Sequence, residues 1–285
     1  MTNNKNIGIK YTQSTKLSAK PFIKWVGGKG QLISSIEKLL PNEVYGYSNM
    51  TYIEPFVGGG AMLFWILENV ATVKKAIIND INPDLTTAYR TVKENVYELI
   101  ILLKNIQKEY QSFNSEDSRK EFFLKMRERY NTKSLENIEN TALFIFLNRT
   151  CFNGLYRVNS KGLFNVPFGK YTNPTICDEN TLLIDSELLQ KVEILTGDFE
   201  QTLNYATENS LFYLDPPYKP LSQTSSFNSY SKEEFNDAEQ IRLKRFCDKL
   251  NDRDCMWILS NSDVKSNDPE NDFFDDLYSH YLNCA

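Results

Sequence analysis

One stretch, Leu211-Phe212-Tyr213-Leu214-Asp215-Pro216-Pro217-Tyr218, constrains this chain more than any other. Its apolar and aromatic start reads as a buried strand. Two prolines then end the strand, because neither carries an N–H for a sheet ladder. An acid is left at the carboxyl end, with a rigid turn behind it and a ring beyond it. In open α/β sheets that end is where ligands sit. Asp215 can accept a hydrogen bond from an amine and the Pro216 carbonyl a second. Pro217 stiffens the turn, and Tyr218 can stack on a flat ring. This set of groups suits a planar ring with an exocyclic amine, such as adenine. A strand followed by an ordinary proline turn fits the same residues equally well, so the rest of the chain decides.

With 285 residues and 41% hydrophobic content, the chain can bury a sizeable core. No apolar run is long enough to span a membrane. The polar start lacks a signal-peptide core, so residues 1–20 are expected to be a flexible basic arm of a cytoplasmic protein. The cysteines at 151, 177, 247, 255 and 284 form no metal-type pair and fit buried thiols in a reducing compartment. The single histidine, His280, sits in an acidic tail. Histidine-based nucleophilic catalysis and multi-histidine metal sites have almost nothing to build on, and no metal is expected. The formal net charge of −5 argues against a nucleic-acid partner, but its distribution argues for one. Met1–Ile36 carries six lysines and no acid, and Thr141–Cys177 carries Arg149, Arg157, Lys161 and Lys170 and no acid. Local charge decides where a phosphate backbone docks.

Along the chain, Lys24-Trp25-Val26-Gly27-Gly28-Lys29 precedes an amphipathic helix from about Gln31 to Leu40. It is not a phosphate loop, because the glycine spacing fails and Gly30 stands where Ser or Thr is required. Tyr52-Ile53-Glu54-Pro55-Phe56-Val57-Gly58-Gly59-Gly60 reads as strand and glycine turn, opening a helix at Ala61. Such a turn lets backbone approach a ligand closely. The next strand, Lys75–Ile78, ends at Asn79-Asp80, where dinucleotide-type folds place the acid that takes ribose hydroxyls. Helices are expected from Asp84 to about Lys108, Arg119 to Tyr130 and Ile138 to Leu147. Then Asn148–Asn159 and Phe164–Tyr171 interleave aromatic, Asn, Gly and basic residues, which suits a nucleic-acid contact surface or an ordinary polar hairpin. Strands resume at Val192–Leu195, ending at Gly197-Asp198-Phe199, at Leu211 and at Cys255–Leu259. Lys219–Tyr230 reads as a mobile loop beside the site. Ser231–Glu234 reads as a capping box for a helix to about Leu250. The pattern divides into the arm (1–20), an α/β domain in two parts (21–83 and 188–262), a mainly helical insert (84–187) and an acidic tail (263–285).

In this order, the Lys-Trp-Val-Gly-Gly-Lys start, the Glu-Pro-Phe-Val-Gly-Gly-Gly turn, Asn79-Asp80, Phe152–Arg157, Phe164–Lys170 and Asp215–Tyr218 resemble the Dam-type DNA adenine methyltransferases. The resemblance is strongest to the modification enzymes that protect GATC sites, and it runs from Pro21 to Ser262. It implies a Rossmann-like methyltransferase sheet with a target-recognition domain as the helical insert. S-adenosylmethionine is the implied methyl donor, and double-stranded DNA the implied partner. A separately acting restriction endonuclease is a further implied partner. By this analogy Trp25, Lys29, Asp80 and Asp215 contact the donor, while Phe56, Gly58, Gly60, Asp198 and Phe199 line its pocket. Asp215, Pro216, Pro217 and Tyr218 form the catalytic motif. Phe152 stands where the family places an aromatic wedge, a role that needs only an apolar face. Arg157 stands where the family reads guanine. Asn153, Leu155 and Pro167 match other recognition positions, and Lys170 closes that surface. The tail departs from the pattern: relatives continue with a hairpin and a basic stretch, so a missing terminal strand is expected. Two rivals follow, a DNA-binding module without turnover and a methyltransferase for another amine in RNA or protein. The Phe152–Arg157 segment speaks against the second.

Overall fold

Each of the five apolar runs is a strand of one parallel sheet, ordered β3-β2-β1-β4-β5. The strands are β1 (Met50–Glu54), β2 (Val73–Asp80), β3 (Val192–Thr196), β4 (Ser210–Leu214) and β5 (Met256–Leu259). This computed structural model describes residues 18–28, 30, 32–217, 235–261 and 271–281. Parallel neighbours need crossover connections, and helices supply them. In chain order these are α1 (Ile33–Leu39), α2 (Glu43–Gly46), α3 (Ala61–Asn69), α4 (Pro83–Glu94), α5 (Val96–Ser112), α6 (Glu116–Asn131), α7 (Asn137–Thr150), α8 (Glu179–Leu189), α9 (Asp237–Asn251) and α10 (Phe273–Leu277).

Both faces of the sheet are covered, which is why its strands read as continuous apolar runs. Tyr52, Ala76, Ile78, Leu211 and Tyr213 face a core shared with α3, α4 and α8. Ile53, Ile77, Phe212 and Leu214 face Leu243, Phe246 and Leu250 of α9. The first core runs on without interruption into α5, α6 and α7, where Tyr110, Phe122, Phe123 and Phe146 pack ring against ring. In α7 every residue from Thr141 to Asn148 is buried, the mark of a helix enclosed on all sides.

Four local features differ from the sequence reading. The helix expected from Asp84 to Lys108 is two helices, broken at Asn95 (φ −135°, ψ 37°). Asn and Asp side chains compete for backbone groups in helix interiors, which favours such a break. Helix α8 was not foreseen; Asp178 caps it by accepting the Thr181 N–H at 3.3 Å. The short α2 was not foreseen either. Helix α9 opens at Asp237, where Asn236 Oδ1 accepts the N–H groups of Ala238 and Glu239 at 3.0 and 3.2 Å. The effective cap is thus Asn236, and Ser231–Glu234 lies outside the described residues, as do the 219–230 loop, nearly all of the 1–20 arm and much of the 263–285 tail.

Candidate active site

The strand order reverses direction between β1 and β4, making their carboxyl ends the topological switch point where such sheets bind ligands. Register fixes what meets there. Glu54 pairs with Ile78 and Ile53 pairs with Phe212. Asp80 and Asp215 therefore lie at one height, each two residues beyond the level of Glu54, flanking the turn that leaves β1. Two inter-strand spacings put their backbones about 10 Å apart.

Beside β1 the chain turns through Gly58 (φ 49°) and Gly60 (φ 74°), left-handed conformations that glycine adopts without strain. Asp80 Oδ2 accepts the Gly58 N–H at 3.1 Å and Oδ1 accepts the Asn82 N–H at 2.9 Å. Each oxygen keeps a further lone pair for a ligand hydroxyl. Burial pushes the Asp80 carboxyl up to about 6, against the N–H groups of Asn82, Gly58 and Ile81, which favour its charged form. Ile81, the next residue, is 59% exposed and presents an apolar face at the mouth. On the opposite face Asn79 stitches three strand ends. Its Nδ2 donates to the carbonyls of Pro55 and Gly197, each at 3.0 Å, and its Oδ1 accepts Gln201 Nε2 at 2.9 Å.

A third acid, Glu54, was not singled out from the sequence. It is 3% exposed and accepts the Tyr52 hydroxyl at 2.8 Å. Burial pushes its carboxyl well above the usual carboxylate range, and the charges of Asp215 and Asp80 add to that push. The signal was present: Ile53-Glu54-Pro55 repeats the strand, acid, proline order of Leu214-Asp215-Pro216. Of the Asp215–Tyr218 motif, Asp215 is half-buried, Pro216 buried and Pro217 exposed, while Tyr218 lies outside the described residues.

Trp25 packs on the glycine turn so closely that a Cβ on Gly58 would stand 2.9 Å from the indole Cδ1. Lys29 lies outside the described residues. Phe56 meets Phe199 at 5.1 Å, joining the end of β1 to the 3₁₀ helix after β3. Asp198 is more peripheral. It is exposed, accepts the Glu200 N–H at 2.9 Å and pairs with Arg242, whose guanidinium lies 4.5 Å over the Phe199 ring.

The residues expected to read DNA cluster separately, on an irregular hairpin held by Cys151–Phe168 and Val158–Phe164 bridges. Asn131 of α6 grips it through both groups of the Phe164 backbone, at 2.8 and 3.0 Å. Phe152 is 51% exposed, and its N–H donates to the Pro167 carbonyl at 2.9 Å. Asn153 (φ 53°) and Gly154 (φ 64°) follow in left-handed conformations, with Asn153 exposed and Leu155 half-buried. Arg157 Nε donates to Asn165 Oδ1 at 2.8 Å and Nη2 to the Asn165 carbonyl at 3.4 Å, which orients the guanidinium. Lys170 is engaged with Glu116 at 2.9 Å. Arg149 is turned inward, donating to the Phe22 carbonyl at 2.7 Å.

A doubly covered parallel sheet with a glycine turn after β1, an acid after β2 and Asp-Pro-Pro after β4 defines a Rossmann-like methyltransferase. The chain belongs to the D12 class N6 adenine-specific DNA methyltransferases, whose family model matches residues 25–284. It is similar to the type II methyltransferase M.MjaIII of Methanocaldococcus jannaschii, with 49% identity over 93% of this chain and 90% of that protein. The type II methyltransferase M1.LlaDCHI of Lactococcus lactis subsp. cremoris is 40% identical over 88% of this chain and 84% of its own length. The DNA adenine methylase of Haemophilus influenzae is 35% identical over 90% and 84%. The chain is therefore an adenine-specific DNA methyltransferase that uses a methyl donor and acts on DNA. Among the described residues no helix is long and apolar enough to cross a membrane, and no group of His, Cys, Asp and Glu is arranged to hold a metal.

Proposed function

We propose that this enzyme transfers a methyl group from S-adenosylmethionine to the exocyclic amine of adenine in GATC duplexes. The observation that carries this reading is the placement of Asp80 and Asp215 at one height on either side of the β1 turn. The residues present suit the donor. Asp80 has lone pairs for ribose hydroxyls, and Ile81 gives an aromatic base an apolar face. When bound, S-adenosylmethionine supplies an electrophilic methyl group. The chain's own residues do the rest. Asp215 and the Pro216 carbonyl accept from the target amine, whose lone pair is otherwise delocalised into the ring, and aim it at the methyl group. Tyr218 stacks on the base. Such positioning lowers a barrier without a histidine base. An adenine inside a duplex must first leave the stack, which costs a few kcal/mol. Exposed Phe152 is the wedge that fills its place.

Residues 84–187 serve as the recognition unit, with Asn153, Leu155, Arg157, Pro167 and Lys170 toward DNA. The reaction takes place in the cytoplasm. Two relatives bear the names of type II methyltransferases, which supports a cognate restriction endonuclease acting separately.

The direct test is transfer of labelled methyl from S-adenosylmethionine to duplexes with and without GATC. Label confined to the GATC duplex is expected; label on both would discard the sequence assignment. In the same assay Arg157→Ala should lower discrimination against a guanine substitution by about 10- to 100-fold, the scale of one bidentate base contact. An unchanged preference would refute the role of Arg157.

Donor binding should also depend on pH. Ribose hydroxyls donate to ionised Asp80, so donor affinity should fall as pH drops through about 6. The ligand-free fold responds in the opposite sense. The Asp80 carboxyl is raised from 3.8 to about 6, so the stability it contributes is complete below the lower value and lost as pH rises through the upper one. Calorimetric titration of S-adenosylhomocysteine across this range checks the first expectation, and a flat affinity would remove Asp80 from the donor site.

A further inference from the structure

Three donors converge on one carboxylate oxygen between the sheet and the insert. Asp84 Oδ2 accepts the hydroxyl of Tyr130 at 2.7 Å, the hydroxyl of Tyr156 at 2.9 Å and Lys133 Nζ at 2.9 Å. Burial alone would raise this carboxyl, but the three donors outweigh burial and hold it below the usual range. Its hydrogen bonds are therefore charge-assisted, about twice as strong as neutral ones.

Asp84 stands in the first turn of α4, four residues after Asp80 at the end of β2. Asn82 joins the two, donating its N–H to Asp80 Oδ1 at 2.9 Å and accepting the Asp84 N–H on its side chain at 3.0 Å. At the other end, Tyr156 immediately precedes Arg157 in the hairpin. Its ring is buried and stacks on Trp25 at 5.6 Å with an interplanar angle of 24°. Trp25 in turn lies on Gly58 and Gly59. A second tie runs in parallel. Asn148 Oδ1 accepts the Lys24 N–H at 2.8 Å, and its Nδ2 donates to the carbonyls of Lys24 and Gly154 at 2.8 and 2.9 Å. Tyr156 stacks on the Trp25 indole by its face and reaches the first turn of α4 by its hydroxyl, while its backbone continues into Arg157.

We infer that Tyr156 and Asp84 are positioning residues that couple the donor pocket to the DNA-reading hairpin, so that donor and target DNA each tighten the binding of the other. The inference rests on the assignment of Trp25 to the donor and Arg157 to the target. Neither Tyr156 nor Asp84 need touch a substrate. A hairpin settled on its target fixes Tyr156, and Tyr156 fixes Trp25 over the glycine turn. Linkage makes the effect reciprocal.

The test uses S-adenosylhomocysteine, which cannot react, and a GATC duplex. The affinity for S-adenosylhomocysteine is measured with and without saturating duplex in the unaltered enzyme, in Tyr156→Phe and in Asp84→Asn. The duplex should tighten S-adenosylhomocysteine binding about tenfold in the unaltered enzyme, within the usual range for coupled sites. Tyr156→Phe keeps the stack on Trp25 and loses only the hydroxyl; it and Asp84→Asn should bring the ratio to about two, with each separate affinity within about threefold of the original. Tyr156→Leu, which loses the stack as well, should bring the ratio to one. A ratio of one in the unaltered enzyme, or a full ratio retained in Tyr156→Phe and Asp84→Asn, overturns the inference and leaves the catalytic reading intact. Losses of both separate affinities that merely track a lowered melting temperature also overturn it, because they mark a structural role. If the unaltered enzyme binds neither S-adenosylhomocysteine nor duplex, the underlying reading fails and this inference with it.

Discussion

Asp215→Ala is expected to abolish methyl transfer, with turnover falling on the order of a thousandfold, the scale for losing one positioned transition-state hydrogen bond. The argument starts from the strand. Four buried residues bring the chain to Leu214, two prolines hold the next turn, and Asp215 is left at the switch point. An amine that gives up conjugation with its ring needs an acceptor fixed in place beforehand, and a flexible or solvated acceptor would have to be ordered during the reaction. The loss should not come from unfolding. The Asp215 charge pushes the carboxyl of Glu54 and the hydroxyl of Tyr213 upward. The melting temperature of the variant should stay close to that of the unaltered enzyme. Methyl transfer at an undiminished rate would remove Asp215 from the chemistry.

The reach of the sequence follows from how locally each feature is determined. All five strands were legible because a parallel strand covered on both faces is a short apolar run, and each ends in Gly, Pro, Asn, Asp or Ser. The glycine turn, Asp80 and Asp215 were legible for a related reason: each directly follows one of those runs. The order β3-β2-β1-β4-β5 is not local, and neither is the register that levels Asp80 with Asp215. Glu54 shared the strand, acid, proline pattern, but its significance comes from the two charges that face it from neighbouring strands. Charge counting erred in a different way. Arg149 belongs to an acid-free segment, yet it is committed to the Phe22 carbonyl, distant in sequence. Composition records that a cation is present and says nothing about what it faces. Tyr156 looked like one more aromatic among several; only the fold sets it between Trp25 and Asp84.

Gly60→Ala should damage both the fold and the donor site. Gly60 caps α3 at φ 74°, where an L side chain costs about 1–2 kcal/mol. The added Cβ would also stand 2.4 Å from the Tyr89 hydroxyl and 3.3 Å from Phe64 Cε2. Tyr89 has little room to retreat. It is fully buried, it meets Phe22 edge-on at 5.2 Å, and its hydroxyl donates to the Gly58 carbonyl at 3.0 Å. Overpacking of this kind costs about 1–3 kcal/mol, and breaking a buried hydrogen bond adds about 1–3 kcal/mol. The total, on the order of 4 kcal/mol, corresponds to a melting temperature lower by on the order of 10 °C. Gly46→Ala is the control. No atom lies within 4 Å of its added Cβ and its φ is not positive, so its stability should be unchanged or slightly raised. Equal melting temperatures for the two variants would show that the turn has slack. Tyr89→Phe in the Gly60→Ala background distinguishes crowding from backbone strain. Removing the hydroxyl takes away the closest clash, so the double variant should recover part of the loss, a non-additivity expected only of residues in contact. If the recovery is complete, crowding against Tyr89 alone excludes a side chain at this position; if none occurs, the left-handed backbone does.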